Sequence, residues 1–303
     1  MPLCKHMDEL EALYARFNRR DPEVHDPIVF LYDYADPEDR EVAAVVASSL
    51  AYGRVAQILA SVRKVLDLLG RRPAGFLRDA TDSRLAASLG DFRHRFTTGS
   101  DLAALLGAVR DVRRRFGSLN RCFLAGMGTG RSVPWVASSL DATHVHLHSE
   151  KDVACRTRRV KARHLAPQTT APNLALETYL PAITFLAETL RAAGGGISKF
   201  LLPSPRGGSA CKRLNLMLRW LIRRDAVDPG GWEGVSPRGL LVPLDVHMHR
   251  MARKMGATRR KAANLRTVLE VTAAFRRVCL EDPAKYDFAL TRQGILGRKR
   301  KSE

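Results

Sequence analysis

The sequence predicts an all-α chain on three observations: apolar residues recur at helical intervals, the segments so marked open at capping residues and close at glycines, and strand-like alternation is scarce. With 303 residues, 45% of them hydrophobic, the chain can bury a substantial core, which excludes disorder throughout. Asp36 and Pro37 combine a capping carboxylate with a proline at the first helical position. Val42, Val45, Val46, Ser49, Leu50 and Tyr52 then follow at helical spacing. Val55 to Leu69 reads as the next helix, ended by Gly70. Ser100 and Asp101 are expected to cap another, with Leu102, Leu105, Leu106 and Val109 on one face and a basic polar face leading into RRRF at 113–116.

The pattern then breaks. Residues 126–173 hold no sustained helical period and are rich in Gly, Ser, Thr, Pro and His, over a length unusual for a loop inside a compact domain. This divides the chain into an N-terminal helical part (1–125), an irregular insertion or linker (126–178) and a second helical part (179–303). In the second part, Leu180, Ile183, Leu186 and Leu190 mark a helix that Gly194, Gly195 and Gly196 end. A turn, PSPRGG at 203–208, precedes Ser209 as the expected cap of a helix from about Ala210 to Arg224. Leu214, Met217, Leu218 and Leu221 share one of its faces, while Lys212, Arg219 and Arg223 line the opposite one. Asp245 opens a further helix ending near Gly256, Thr258 caps another to about Cys279, and Asp282–Pro283 opens the last, for about ten helices in all.

Composition narrows the function. No apolar run is long enough to span a bilayer, and MPLCKHMDELEALYARF carries acids where a signal peptide stays apolar, so a cytoplasmic protein without membrane contact is expected. Cys4, Cys122, Cys155, Cys211 and Cys279 are odd in number and dispersed without a CxxC, which specifies neither a disulfide framework nor a metal cluster. Fifty Lys and Arg against 31 Asp and Glu give a net charge of +19. This favours a polyanionic partner through phosphate neutralisation, and arginine clusters suit phosphate oxygens geometrically. Nucleic acid, DNA or RNA, is the expected partner.

The densest chemistry lies in VPLDVHMHR at 242–250. His247 and His249, two apart on a helix, project about 200° from each other and cannot share an ion, so no metal is expected there. Asp245 stands at a helix start, where amide donors and the helix dipole favour a carboxylate; it serves as a plain N-cap or as a catalytic acid. Lys212, in a first helical turn beside Gly207 and Gly208, is a solvated surface lysine or a nucleophile. An amine attacks only when neutral, so desolvation or neighbouring cations such as Arg213 and Arg219 would activate it. A metal hydrolase reading rests on His144, His146 and His148, which would share one side of a strand that their flanks do not support. GMGTGRS lacks the GK[ST] ending of a phosphate loop.

GGSACKRLNLMLRWLIRR (207–224) and VPLDVHMHRMARKMG (242–256) resemble the helix-hairpin-helix (HhH-GPD) DNA glycosylase superfamily, and PLDVHMHR is most similar to the 8-oxoguanine glycosylase type. The resemblance implies a two-lobed all-α fold with a DNA-binding cleft between the lobes and the hairpin module at about 197–256. It implies Lys212 as Schiff-base nucleophile and Asp245 as essential carboxylate, and it makes Gly207, Gly208 and Ser209 the phosphate-facing hairpin. ASSLAYGRV (47–55) is similar to the groove-probing segment, giving Tyr52 and Arg54 as DNA contacts beside Arg213, Arg219, Arg223, His247 and Arg250. The implied activity is removal of damaged bases from duplex DNA with an abasic-site lyase step. No cofactor is implied, because only Cys279 follows Asp245 and the four-cysteine cluster motif is absent.

This chain reads PSPRGGSACK where the superfamily has LPGVGxK, and it adds a loop around Gly230–Trp232. Trp220, Trp232, Phe275, Tyr286 and Phe288 are either base-stacking residues or core. The alternative function is a helix-hairpin-helix protein that binds nucleic acid without cleaving it. Most of the chain outside 126–178 also resembles a bacterial family known only as a domain of unknown function.

Overall fold

The computed structural model describes residues 3–21, 25–128 and 178–299. Twelve α-helices occur among the described residues: α1 (Met7–Phe17), α2 (Pro37–Ser49), α3 (Val55–Leu69), α4 (Pro73–Asp79), α5 (Asp82–Leu89), α6 (Gly99–Phe116), α7 (Leu119–Gly128), α8 (Leu180–Ala193), α9 (Lys212–Ile222), α10 (Val246–Lys254), α11 (Leu265–Val278) and α12 (Asp287–Lys299). The strands described are β1 (Arg93–His94) and β2 (Thr97–Thr98), an antiparallel pair of two residues each. The fold is all-α, as the periodicity predicts.

Capping chemistry explains several helix starts. Asp36 accepts from Glu38 N (2.8 Å) ahead of Pro37, and Gly70 closes α3. The start of α6 differs from expectation. Thr98, not Ser100, is its N-cap, in a reciprocal box with Asp101: Thr98 Oγ1 accepts from Asp101 N, and the Asp101 carboxylate accepts from Thr98 N. Asn264 rather than Thr258 caps α11, while the Thr258 hydroxyl serves Arg260 N instead. The last helix opens at Asp287 rather than Asp282, whose carboxylate accepts from the Arg223 guanidinium.

Elements from both helical parts share one apolar core. α1 packs on α12, α2 on α9, and both α6 and α7 on α8. Helix α2 is central: Val42 to Ser49 are buried all round, because Ala43, Ala44 and Ala47 let neighbours approach on every side. Gly126 allows the same closeness between α7 and α8, since a Cβ there would lie 2.8 Å from Phe185 Cβ. Of the segment expected to be irregular, residues 126–128 finish α7. His144, His146, His148 and most of GMGTGRS lie outside the described residues.

Candidate functional site

The site is built where α9 begins. Pro205 opens a 3-10 turn, and Gly208 follows at φ +72, a left-handed conformation that glycine adopts without a Cβ penalty. The turn is nailed to the start of α11: Gly208 O accepts from Leu265 N (2.9 Å), and Ser209 pairs with Asn264 in an antiparallel bridge. A Cβ at Gly207 or Gly208 would meet nothing within 4 Å, so both α-carbons face open space. Ser209 is not the helix cap. Its Oγ accepts from Cys211 N (3.2 Å), and α9 starts only after Cys211, itself at φ 44.

Because α9 packs on α2, Lys212 reaches the end of α2, where its Nζ donates to Ala51 O (3.2 Å). Burial pushes its pKa below the ordinary lysine value. The charges of Asp245, Asp26 and Asp287 oppose that shift, and Arg213 reinforces it. Lys212 lines a cavity of about 480 Å³ together with Gly207, Gly208, Tyr52, Phe200 and Leu244, the residue before Asp245. Asp245 caps α10, with Oδ1 accepting from Met248 N (2.7 Å). The same charge opposes ionisation of Asp287, whose carboxyl burial pushes up to about 6 against the pull of Arg219. The lysine and the aspartate expected to act together thus lie within electrostatic reach of each other.

A family model described as Protein of unknown function (DUF2400) matches residues 26–296. The chain belongs to the DUF2400 family. No curated protein and no solved structure matches it. The DUF2400 match takes in the hairpin, Lys212, Asp245 and Asp287, and begins at Asp26, which caps the 3-10 turn Pro27–Asp33 by accepting from Ile28 N (3.1 Å).

Several residues expected to touch DNA are placed otherwise in this DUF2400 chain. Arg219 is 2% exposed and ion-paired to Asp228 (3.0 Å) and Asp287 (2.6 Å); Arg223 is 3% exposed and paired to Asp225, Asp228 and Asp282. Both are corrected from contact residues to buried structural ones, because their guanidinium groups are already matched by carboxylates. Burial also covers the face of α9 that the sequence left to solvent. Arg213 donates to Ser49 O (2.9 Å) and Phe200 O and lies over the Tyr52 and Phe200 rings, so it ties α9 to α2 rather than presenting a free fork.

His247 Nδ1 lies 3.3 Å from Arg250 Nη2, which donates to Gly294 O, whereas His249 Nε2 lies 3.0 Å from Arg260 O. The two histidines point to different neighbours, as their spacing requires, and no group of three metal-ligating side chains occurs among the described residues. Arg54 is exposed at the start of α3. Tyr52 donates to His94 O (2.7 Å) and shares a hydrogen bond with Thr97 Oγ1, joining the α2–α3 connection to the β1–β2 turn. Trp220, Trp232, Phe275, Tyr286 and Phe288 are all buried, which makes them core. No helix among the described residues is long and apolar enough to cross a membrane.

Sequence reasoning missed Asp26, Asp287 and the Ala51 carbonyl. Only the Asp26–Pro27 pair left a trace, as a second capping Asp–Pro step like Asp36–Pro37. Asp287 precedes an ordinary apolar run, and nothing in its neighbourhood announces a buried carboxylate.

Proposed function

We propose that the protein is a DNA base-excision glycosylase with abasic-site lyase activity, acting through Lys212 on a damaged nucleotide turned out of the duplex. The observation that carries this reading is a desolvated lysine amine on the wall of an open cavity, beside a glycine hairpin and within the field of Asp245. In this reading the hairpin and cavity open onto a DNA cleft between two lobes, and the +19 charge draws in the phosphates. A neutral amine has a lone pair and two N–H bonds. Donation to Ala51 O occupies one N–H and leaves the lone pair for attack.

The Lys212 nitrogen forms a bond to C1′ while the glycosidic bond breaks, and the base leaves with that electron pair and takes up a proton. Asp245, whose Oδ1 alone is engaged by Met248 N, offers Oδ2 to the positive charge developing on the sugar. The amine passes a proton to O4′ as the C1′–O4′ bond breaks toward oxygen and the ring opens to a protonated imine, and loss of a C2′ proton then expels the 3′ phosphate with the C3′–O electron pair.

Borohydride trapping on duplex DNA carrying an abasic site tests this. The expected result is a covalent adduct with the wild-type chain and none with Lys212→Gln. Absence of any adduct on abasic and damaged duplexes, or an adduct that survives Lys212→Gln, rejects the reading. A second reading, a protein that binds nucleic acid without cleaving it, is favoured by the departure of PSPRGGSACK from the superfamily hairpin and by the attachment of Nζ to Ala51 O. It predicts DNA binding without trapping.

A further inference from the structure

A second feature borders the same cavity. The β1–β2 turn carries Phe96, 68% exposed, and Phe200, 43% exposed, meets it edge-on with ring centroids 5.5 Å apart. Phe200 in turn meets Tyr52 edge-on at 5.0 Å, so a ladder of rings runs outward from the wall that holds Lys212. Two adjacent aromatic rings left in water form a patch that folding alone does not account for. The turn presenting Phe96 is pinned. Tyr52 OH engages both strands, His94 Nε2 lies 3.1 Å from Tyr52 O, and the Arg95 side chain lies so close over Gly53 that a Cβ there would sit 2.8 Å from its Cδ.

Cations dominate the sequence around the rings, although Asp91 and Asp101 flank the turn that carries Phe96. The chain has no Asp or Glu between Glu41 and Asp67, nor between Glu188 and Asp225, the two stretches that supply Tyr52, Phe200 and Lys212. Arg54, Lys199 and Arg206 in those stretches are exposed, and the Arg95 guanidinium lies 5.5 Å from the Phe96 ring centroid. An apolar protein surface would cover the rings but leave these cations without counter-charges. A strand of nucleic acid supplies both halves, since a base has a flat apolar face and each nucleotide adds a phosphate.

We infer that Phe96 and Phe200 form a stacking shelf for an unpaired base of DNA, so that this face selects single-stranded or mispaired DNA over a fully paired duplex. The inference rests on the DNA-binding part of the proposed function and not on the lysine chemistry. Exposed aromatics act in this way without reading sequence, because every base has a π-face.

Fluorescence anisotropy of the full chain tests it with a labelled single strand, a duplex holding one mispair, and the matched duplex. The wild type is expected to bind the first two more tightly. Phe96→Ala should lose roughly five-fold or more on them, the low end of the loss for one base–aromatic stack. It should change little on the matched duplex, and Phe96→Trp should restore the difference. The salt dependence should stay the same in all three proteins, because no phosphate contact is removed.

Equal binding of all three DNAs by wild type and Phe96→Ala overturns the shelf. So does self-association of the chain that Phe96→Ala abolishes, since a second copy would then be the occupant. The two proposals fail separately. Trapping that depends on Lys212 with no effect of Phe96 removes the shelf and leaves the glycosylase. Dependence on Phe96 without trapping removes the lyase and leaves the shelf.

Discussion

At the first turn of α9, Lys212 ends on a backbone carbonyl beside a cavity; two and three turns later, Arg219 and Arg223 end in a cage of carboxylates. All three residues lie on one basic face of the same helix. The difference is set by what the rest of the chain brings to each. Asp228, Asp282 and Asp287 converge on the C-terminal half, so those arginines hold α9 to α12 and to the loop after α9. Lys212 feels the field of Asp245, Asp26 and Asp287 but bonds directly to Ala51 O, so this amine is desolvated without a carboxylate against it. A basic residue is therefore read by the carboxylates that reach it, not by the face it occupies.

The largest expected effect tests the cage. Arg219→Ala leaves Asp287 buried without its counter-charge and Asp228 with Arg223 alone, and should cost about 3–5 kcal/mol in urea unfolding. A loss under about 1 kcal/mol would mean that the cage holds nothing and would erase the contrast.

The pH dependence of Asp287 comes next. Its folded pKa, about 6, lies above the ordinary 3.8, so the folded state binds more protons than the unfolded state between these values. Its contribution to stability is therefore full below pH 3.8 and declines as pH rises toward 6. Asp287→Asn should flatten that part of the stability curve by about 3 kcal/mol. An unchanged slope would place the burial penalty elsewhere.

Lys212→Gln sharpens the other side of the comparison. Stability should stay within about 1 kcal/mol, since a desolvated ammonium gains little from its site, while trapping is lost. In the wild type the trapping rate should rise with pH and level off below pH 10.5, because a lowered lysine pKa yields neutral amine earlier. A plateau at or above the ordinary value would show that the site does not tune the amine. The smallest effect belongs to Tyr52→Phe, which removes the bonds to His94 O and Thr97 and should cost about 1 kcal/mol while leaving trapping intact.

The sequence disclosed the fold through local chemistry. The Asp36–Pro37 start, the Gly70 stop and the buried Leu180, Ile183, Leu186 and Leu190 stripe all follow from interactions within a few residues. Asp245 as a helix opener and the divergence of His247 and His249 were legible for the same reason. What stayed hidden was long-range. Arg219 and Asp287 are 68 positions apart, and Lys212 and Ala51 are 161 apart. Periodicity assigns residues to helix faces but cannot say which acids a face will meet, so Arg219 and Arg223 looked like phosphate contacts. The caps at Thr98 and Asn264 were misplaced because Ser100 and Thr258 offer a side-chain acceptor oxygen as they do, and only the path of the backbone chooses between them.

The close seat of α7 on α8 at Gly126 has a practical corollary for handling the molecule. Since α1 clasps α12, α2 clasps α9 and α6 clasps α8, the part before Gly128 is knitted to the part after Thr178 at several places. A protease nick made between those two points should go unnoticed in a native gel, the pieces parting only in denaturant. Two separately expressed fragments should find each other and rebuild the lysine's seat against Ala51.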